Sequence, residues 1–359
     1  MQPSSLQAYD AEIIRGNLQD DPAQRQVLAY LDAMAEGLKR RRPFRFLGKW
    51  APTPDAVKGL YLWGRVGRGK TRLTELFLSS IPQVPCQRWH FHRFMNHVHA
   101  ELARMPDTAD TLAVLAKRMA GKTRLLVLDE FFVTDIGDAM ILYRLLEQLT
   151  RRGVSFITTS NVPPDELYLH GLQRESFMPC IALLKHQCEV IELASANDYR
   201  LRMLKQAATY RIPDNAANTE ALARQFRQLS GKEPAVQTLD INGRILPVLA
   251  LSDGIVWFHF TALCEGPRSA ADYIEIARDF HTVLLSGIPR FDGSNEESAR
   301  RFVYLIDELY DRHVNLLLSA QADALSLYQG QRLQREFERT GSRLVEMQST
   351  EYLALEHRP

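Results

Sequence analysis

Eight consecutive residues, Gly64-Arg65-Val66-Gly67-Arg68-Gly69-Lys70-Thr71, restrict this chain more than any other feature. They match GxxxxGK[ST], follow the apolar run GLYLW at 59–63, and open a helical pattern from Lys70 to Phe77. Glycines at these spacings let successive backbone N–H groups turn inward around phosphate oxygens, and the first turn of a helix adds positive potential. Lys70 is then placed to reach β- and γ-phosphates, and the Thr71 hydroxyl to ligate Mg²⁺. A strand, loop and helix of this kind belong in a parallel sheet covered by helices.

The sequence supplies such a sheet. GLYLW, RWHF, RLLVL, SFITT and EVIEL are five short apolar runs separated by helical stretches, the alternation of an α/β fold. One covering helix is read from Ala139 to Arg152: Ile141, Leu142, Leu145, Leu146 and Leu149 form its stripe, and Gly153 supplies the stop. Another is expected from Phe177 to Lys185.

Four further residues complete a hydrolytic set. The run Leu125–Leu128 ends in Asp129-Glu130, which puts two carboxylates at the carboxyl edge of a parallel sheet, where ligands bind. Asp129 is read as part of a Mg²⁺ shell and Glu130 as the base that polarises water. Asn161, at the exit of FITTSN, suits a residue that orients water near a γ-phosphate; its plainer role is to cap the turn before Pro163-Pro164. Arg174, in GLQRESF, could neutralise transition-state charge on a nucleotide held by a neighbouring subunit. A surface salt bridge is the ordinary use of such an arginine.

Beyond Leu193 the texture changes. DYRLRMLKQAATY and TEALARQFRQLSG read as helices, and TLDI-NG-RILPVLAL-SDG-IVWFHF reads as a three-stranded meander turned at Asn242-Gly243 and Asp253-Gly254. TVLLSGIPRF, ARRFVYLIDELYDRH and VNLLLSA then repeat the strand, helix, strand rhythm of residues 124–160. Ser286 and Gly287 stand roughly where Asp129 and Glu130 stand in the first copy. This is read as an α/β unit without chemistry, with duplication left open.

Composition excludes little but helps. With 44 basic and 43 acidic residues the net charge is +1, which gives no reason to expect nucleic acid as a partner. No apolar stretch reaches the length of a membrane span, the N-terminus lacks a secretory signature, and four cysteines without a CxxC pair fit a reduced cytoplasm. His90-x-His92 and His97-x-His99 invite a zinc reading, yet no acid or cysteine stands nearby at ligand spacing. The basic run Lys39–Arg42, with Arg45 and Lys49, could touch anionic lipid or nucleic acid, and its plainer reading is a solvated helix end. No NKxD motif for guanine is present, and adjacent acids plus Asn161 favour hydrolysis over phosphoryl transfer to an acceptor.

GLYLWGRVGRGKT, HFHRFMNHVH, LDEFFVTDIGDAMIL, TTSNVPPDELYLHGLQRESFMPCI and SRLVEMQSTEYL together resemble the ZapE cell-division ATPases, whose mitochondrial relatives include the lactation-elevated protein. The resemblance spans essentially the whole chain. It implies an α/β P-loop AAA+ parallel-sheet core that binds ATP with Mg²⁺ and works as a ring oligomer, a hexamer in the family. Arg174 matches the expected finger arginine. It further implies a cytoplasmic protein, peripheral at the bacterial division site and without stable membrane insertion, acting on the tubulin-like protein FtsZ. Phe132 departs from the glutamine of the family's DEFQVTD. A lid arginine commonly senses the γ-phosphate in AAA+ proteins, and Arg343 (behind a Ser342 that could cap a helix), Arg300 and Arg301 are candidates. The expected division is an N-terminal helical region (1–55), a P-loop ATPase core (56–195), and a C-terminal lid with a meander insert and an α/β unit (196–359). The competing reading is an AAA+ nucleotide switch that loads or remodels nucleic-acid-bound proteins.

Overall fold

All five apolar runs become strands: β1 (Gly59–Trp63), β2 (Cys86–His90), β3 (Leu125–Asp129), β4 (Ser155–Ser160) and β5 (Cys188–Glu192). They form one parallel sheet in the order β2-β3-β4-β1-β5. The computed structural model describes residues 3–16, 18–39, 56–65, 67–105, 110–169, 171–194, 201, 204, 208–252 and 254–358. Val66, Arg40–Arg42, Arg45, Lys49 and Asp253 lie outside the described residues, as does most of DYRLRMLKQAATY. The chain divides into two compact units, Met1–Asn197 and Asp198–Pro359.

The period of two along each strand sorts side chains to opposite faces of the first sheet. Tyr61, Leu126 and Leu128 join one core, with α4 (Phe91–Ala103), α5 (Thr111–Ala120), α6 (Ile136–Thr150) and α7 (Arg174–Gln187). Leu60, Leu62, Leu125 and Val127 join the other, with α1 (Ser5–Ile14), α2 (Pro22–Lys39) and α3 (Lys70–Ser80). Each fully buried leucine contributes roughly 1.5–3 kcal/mol, which is why these strands show unbroken apolar runs. The N-terminal helices thus share a core with the sheet.

Some boundaries differ from expectation, each for a local reason. α6 starts three residues before Ala139 because the Asp135 carboxylate accepts from the Gly137 and Asp138 amides. α7 begins at Arg174, with Gln173 in a left-handed conformation before it. RWHF is not wholly strand: β2 ends at His90 and Phe91 opens α4, so His90 and His92 do not share a strand face. His92 instead meets Asn96 at 3.0 Å, and His99 meets Asp138 at 2.7 Å.

The second unit carries its own sheet, β6 (Tyr210–Arg211), β12 (Asn315–Ala320), β11 (Thr282–Ile288), β10 (Ile255–His259) and β9 (Ala250–Ser252), in that order. Only the β9–β10 pairing is antiparallel. Helices Ala270–Asp279, Glu296–Asp311 and Gln334–Glu346 cover one face, and helix Ala216–Ser230 the other. The expected meander does not form as one sheet. β7 (Gln237–Ile241) and β8 (Arg244–Val248) make a separate hairpin through Asn242-Gly243, while Ile255–His259 pairs with β9 and β11. Pro247 in β8 has no N–H to offer a third strand, which suits an edge position. Among the described residues no helix is long and apolar enough to cross a membrane.

Candidate nucleotide site

The loop after β1 has the backbone that its glycines permit. Gly64, Gly67 and Gly69 have φ of 146°, 81° and 96°, a region that side chains disfavour. At Gly69 the space is closed as well: a Cβ would lie 2.9 Å from the Gln24 amide nitrogen. That amide, 3% exposed on α2, donates to the Arg68 carbonyl at 2.9 Å. The N-terminal helices therefore help shape the loop. Arg68 Nη1 is buried with no hydrogen-bond partner, a donor left for an anion. Thr71 is half-buried in the first turn of α3, and Arg65 is exposed.

Lys70 Nζ donates to the Gly64 carbonyl, to the Arg65 carbonyl at 3.1 Å and to Asn161 Oδ1 at 3.0 Å. A phosphate oxygen would offer this ammonium a charge-assisted hydrogen bond, stronger than one to a neutral carbonyl. The loop and the exit of β4 are thereby brought together.

The two acids are joined by a residue that motif reading missed. Asp129, 3% exposed, accepts from Thr159 Oγ1 at 3.0 Å through one oxygen and from Arg88 Nε at 2.6 Å through the other. A carboxylate has about four acceptor directions, so two remain for a metal ion or water. Thr159 Oγ1 also accepts from the Glu130 N–H at 3.2 Å, and the Phe131 N–H donates to the Thr159 carbonyl at 2.8 Å. Glu130 has φ of 52°, which costs about 1–2 kcal/mol, and these bonds hold it there. Its Oε2 lies 3.9 Å from His90 Nδ1. Phe131 is buried, whereas Phe132 is 42% exposed.

Arg88 was legible only as a strand residue, and His90 only as half of an HxH pair read for zinc. Their role follows from β2 lying beside β3, where His90 pairs in register with Asp129. Arg174 stands apart from this cluster in its hydrogen bonding. Its Nη2 donates to the Asp165 carbonyl at 2.6 Å, and its Nε is buried without a hydrogen-bond partner. Leu169 and Leu172 nearby in the chain are 49% and 71% exposed.

The lid candidates are engaged within the second unit. Arg343 binds Asp307 at 2.5 Å and Asp311 at 3.2 Å and lies over the Tyr310 ring. Arg301 Nη1 donates to the Cys264 carbonyl at 3.1 Å, and Arg300 is exposed. Ser342 caps no helix; it sits inside Gln334–Glu346 with its hydroxyl on the Glu338 carbonyl.

The group of donors and acids fits a triphosphate and a hard cation: a loop with three left-handed glycines, one lysine, a hydroxyl on the first helical turn, and a buried carboxylate with open acceptor directions. The sequence model of the AFG1-like ATPase family matches residues 3–356. Cell division protein ZapE of Escherichia coli K12 is 42% identical over 363 residues, covering 97% of each chain. Lactation elevated protein 1 homolog B of Danio rerio is 36% identical over 349 residues, covering 83% of this chain and 69% of its own length. Among solved structures, AMPPCP-bound DnaA from Aquifex aeolicus is 15% identical, covers 53% of each chain and has a TM-score of 0.37, a likeness too distant to add to the strand order. Family match and identity agree with the resemblance seen in the sequence, and the chain belongs to the AFG1-like ATPases.

Proposed function

We propose that this ATPase works as a ring in which each nucleotide is held by one subunit and completed by the next. The observation that carries this reading is the bond from Lys70 to Asn161 beside the Thr159-linked acids, because it gathers loop, acids and amide at one sheet edge. In this reading the amides of 64–69 and Lys70 take the phosphates, and Val66 contributes as part of that loop. Thr71 and Asp129 would hold Mg²⁺, which when bound neutralises phosphate charge. Glu130 orients and deprotonates water, and Asn161 fixes that water against the γ-phosphate. Arg174 serves the neighbouring subunit: its unpartnered Nε and the exposed Leu169 and Leu172 support a contact surface there.

The division of labour proposed is a helical region at 1–55, the ATPase core at 56–195, and a C-terminal region at 196–359 that plays the lid's part. The 42% identity to cell division protein ZapE supports a role in bacterial division. The protein would act from the cytoplasm, peripherally at the division site, on an FtsZ-type partner. Mixing two inactive variants tests the ring. Arg174→Ala keeps an intact cradle and Lys70→Ala keeps an intact finger, so mixtures should recover ATPase activity that neither shows alone. Absence of recovery at every ratio would refute action between subunits.

A further inference from the structure

The two sheets share an order of assembly. In chain order the first unit places β1, β2, β3 and β4 as β2-β3-β4-β1, and the second places β6, β10, β11 and β12 as β10-β11-β12-β6, every pairing parallel. The β7–β8 hairpin and β9 are inserted after the first helix of the second set. Towards the C-terminus the match becomes residue by residue. Helices Ile136–Thr150 and Glu296–Asp311 begin 160 residues apart, as do strands Ser155–Ser160 and Asn315–Ala320 and helices Arg174–Gln187 and Gln334–Glu346. At that spacing the Val154 N–H donates to the Leu149 carbonyl and the Val314 N–H to that of Leu309. Tyr168 packs on Phe177, and Tyr328 on Phe337. Tyr61 of β1 donates its hydroxyl to the Val162 carbonyl at 3.0 Å, and Tyr210 of β6 donates to the Ala322 carbonyl at 2.8 Å.

We infer that the second unit is another copy of the P-loop core, in which the carboxylate of Asp214 does permanently what a bound phosphate does in the first. Leu62 pairs in register with Thr159 and Arg211 with Ser319. From those anchors the first copy spends seven residues, 63–69, before its helix, and the second spends four, 212–215, with no glycine among them. A cradle cannot form in that space. Both acids are also replaced. Asp129 faces His90 in register, and Ser286 faces His259 in the same way. Gly287 follows Ser286 with φ of 81°, keeping the left-handed backbone of Glu130. A Cβ there would lie 2.3 Å from His259 Nε2, so the imidazole fills the space a catalytic side chain would need.

What remains is the tie between loop and strand tips. Asp214 Oδ1 accepts from the Gly287 N–H at 3.0 Å and from Ser319 Oγ at 2.5 Å. Gln321 Nε2 donates to the Asp214 carbonyl at 3.1 Å. Ser319 is the counterpart of Thr159, and Gln321 that of Asn161. A phosphate orders such a site by bridging the loop to those positions. Here a carboxylate carried by the loop makes the bridge, so the second unit binds no nucleotide and keeps one arrangement while the first goes through its ATP cycle.

This inference rests on reading 64–71 as a phosphate loop, and one experiment separates the two. Hydrogen exchange on the full chain, with and without Mg²⁺–ATP, should show slowed exchange at 64–71 and no change at Gly287 or 212–216. Asp214→Ala should speed Gly287 exchange roughly tenfold or more, by loss of a bond to a charged acceptor. Asp214→Asn, which keeps an accepting oxygen, should stay near wild type. Equilibrium dialysis should give one ATP per chain. Slowing at Gly287 on adding ATP, two ATP per chain, or Gly287 exchange indifferent to Asp214→Ala would each overturn the inference. If Asp214→Ala does not fold, the wild-type comparison and Asp214→Asn still decide it. Lack of slowing at 64–71 alone counts against the phosphate loop, not against the second copy.

Discussion

Thr159→Val removes one hydroxyl at constant shape, and the structure says what that hydroxyl does. Thr159 is 2% exposed, donates to Asp129 Oδ1 at 3.0 Å and accepts from the Glu130 N–H at 3.2 Å. A hydrogen bond to a charged group is worth about 1.5–3 kcal/mol, and a buried donor left unpaired costs about 1–3 kcal/mol. The two losses share one atom and will not simply add. Asp129 keeps Arg88 at 2.6 Å, so its orientation is only partly released. Glu130 loses the restraint on a backbone that is already strained at φ of 52°. Taking about 1.5–3 kcal/mol as the loss of positioning, kcat should fall roughly ten- to hundredfold. ATP affinity should change much less, because Lys70 and the loop amides are untouched. Steady-state ATPase kinetics and nucleotide titration, run beside a melting curve, separate these effects. Thr159→Ser, which restores the hydroxyl, should recover most of the rate. A kcat within twofold of wild type in folded Thr159→Val would refute the claim that this hydroxyl sets the acids.

Other outcomes follow from single contacts. Gln24→Ala deletes the amide that holds the Arg68 carbonyl; ATP affinity should weaken roughly five- to tenfold, from about 1 kcal/mol of lost loop ordering, and unchanged titration curves would make the contact merely structural. Phe132→Gln alters a ring that is 42% exposed next to Phe131; stability should hold within about 0.5 kcal/mol while ATPase rate rises, and an unchanged rate would mark the ring as neutral. Burial pushes the Cys188 thiol up to about 12, with Lys58 pulling weakly the other way. It is therefore protonated throughout the neutral range, and iodoacetamide at pH 8 should label it only after unfolding, read by mass spectrometry; rapid labelling of the native protein would contradict the buried placement.

What could be read from the sequence and what could not divide along a physical line. β1, β3 and β4 were legible because a parallel strand buried on both faces is short and largely apolar, whereas β2 and β5 are only partly buried and were marked chiefly by the helical stretches around them. The candidate phosphate loop at 64–71 and the pair Asp129-Glu130 could be singled out because the chemistry proposed for them depends on neighbours in sequence. Gln24, Arg88 and Thr159 were not: each finds its partner across 44, 41 or 30 residues, and only the strand order brings them together. A threonine in FITTSN looks like any β-branched strand residue until β4 is known to lie beside β3. His90 and His92 were misleading for the opposite reason, since an assumed period of two ran past Phe91, where the helix begins.

The second unit carries the same lesson further. Its rhythm at 282–320 was visible, but Asp214 belongs to no motif and acquires meaning only from Gly287 and Ser319, 73 and 105 residues away. A P-loop core keeps its fold when its chemistry is lost because the two use different residues. Ala139, Leu142, Leu145 and Leu149 are buried in the first copy, and Ala299, Phe302, Leu305 and Leu309 hold the same places in the second. The acids and glycines occupy strand tips and the loop, where the core asks nothing of them. Packing can therefore persist while Asp129 and Glu130 give way to Ser286 and Gly287, provided that something joins the loop to the strand tips. Asp214 is that join, and its replacement by alanine should disturb the second unit without touching any residue that binds ATP.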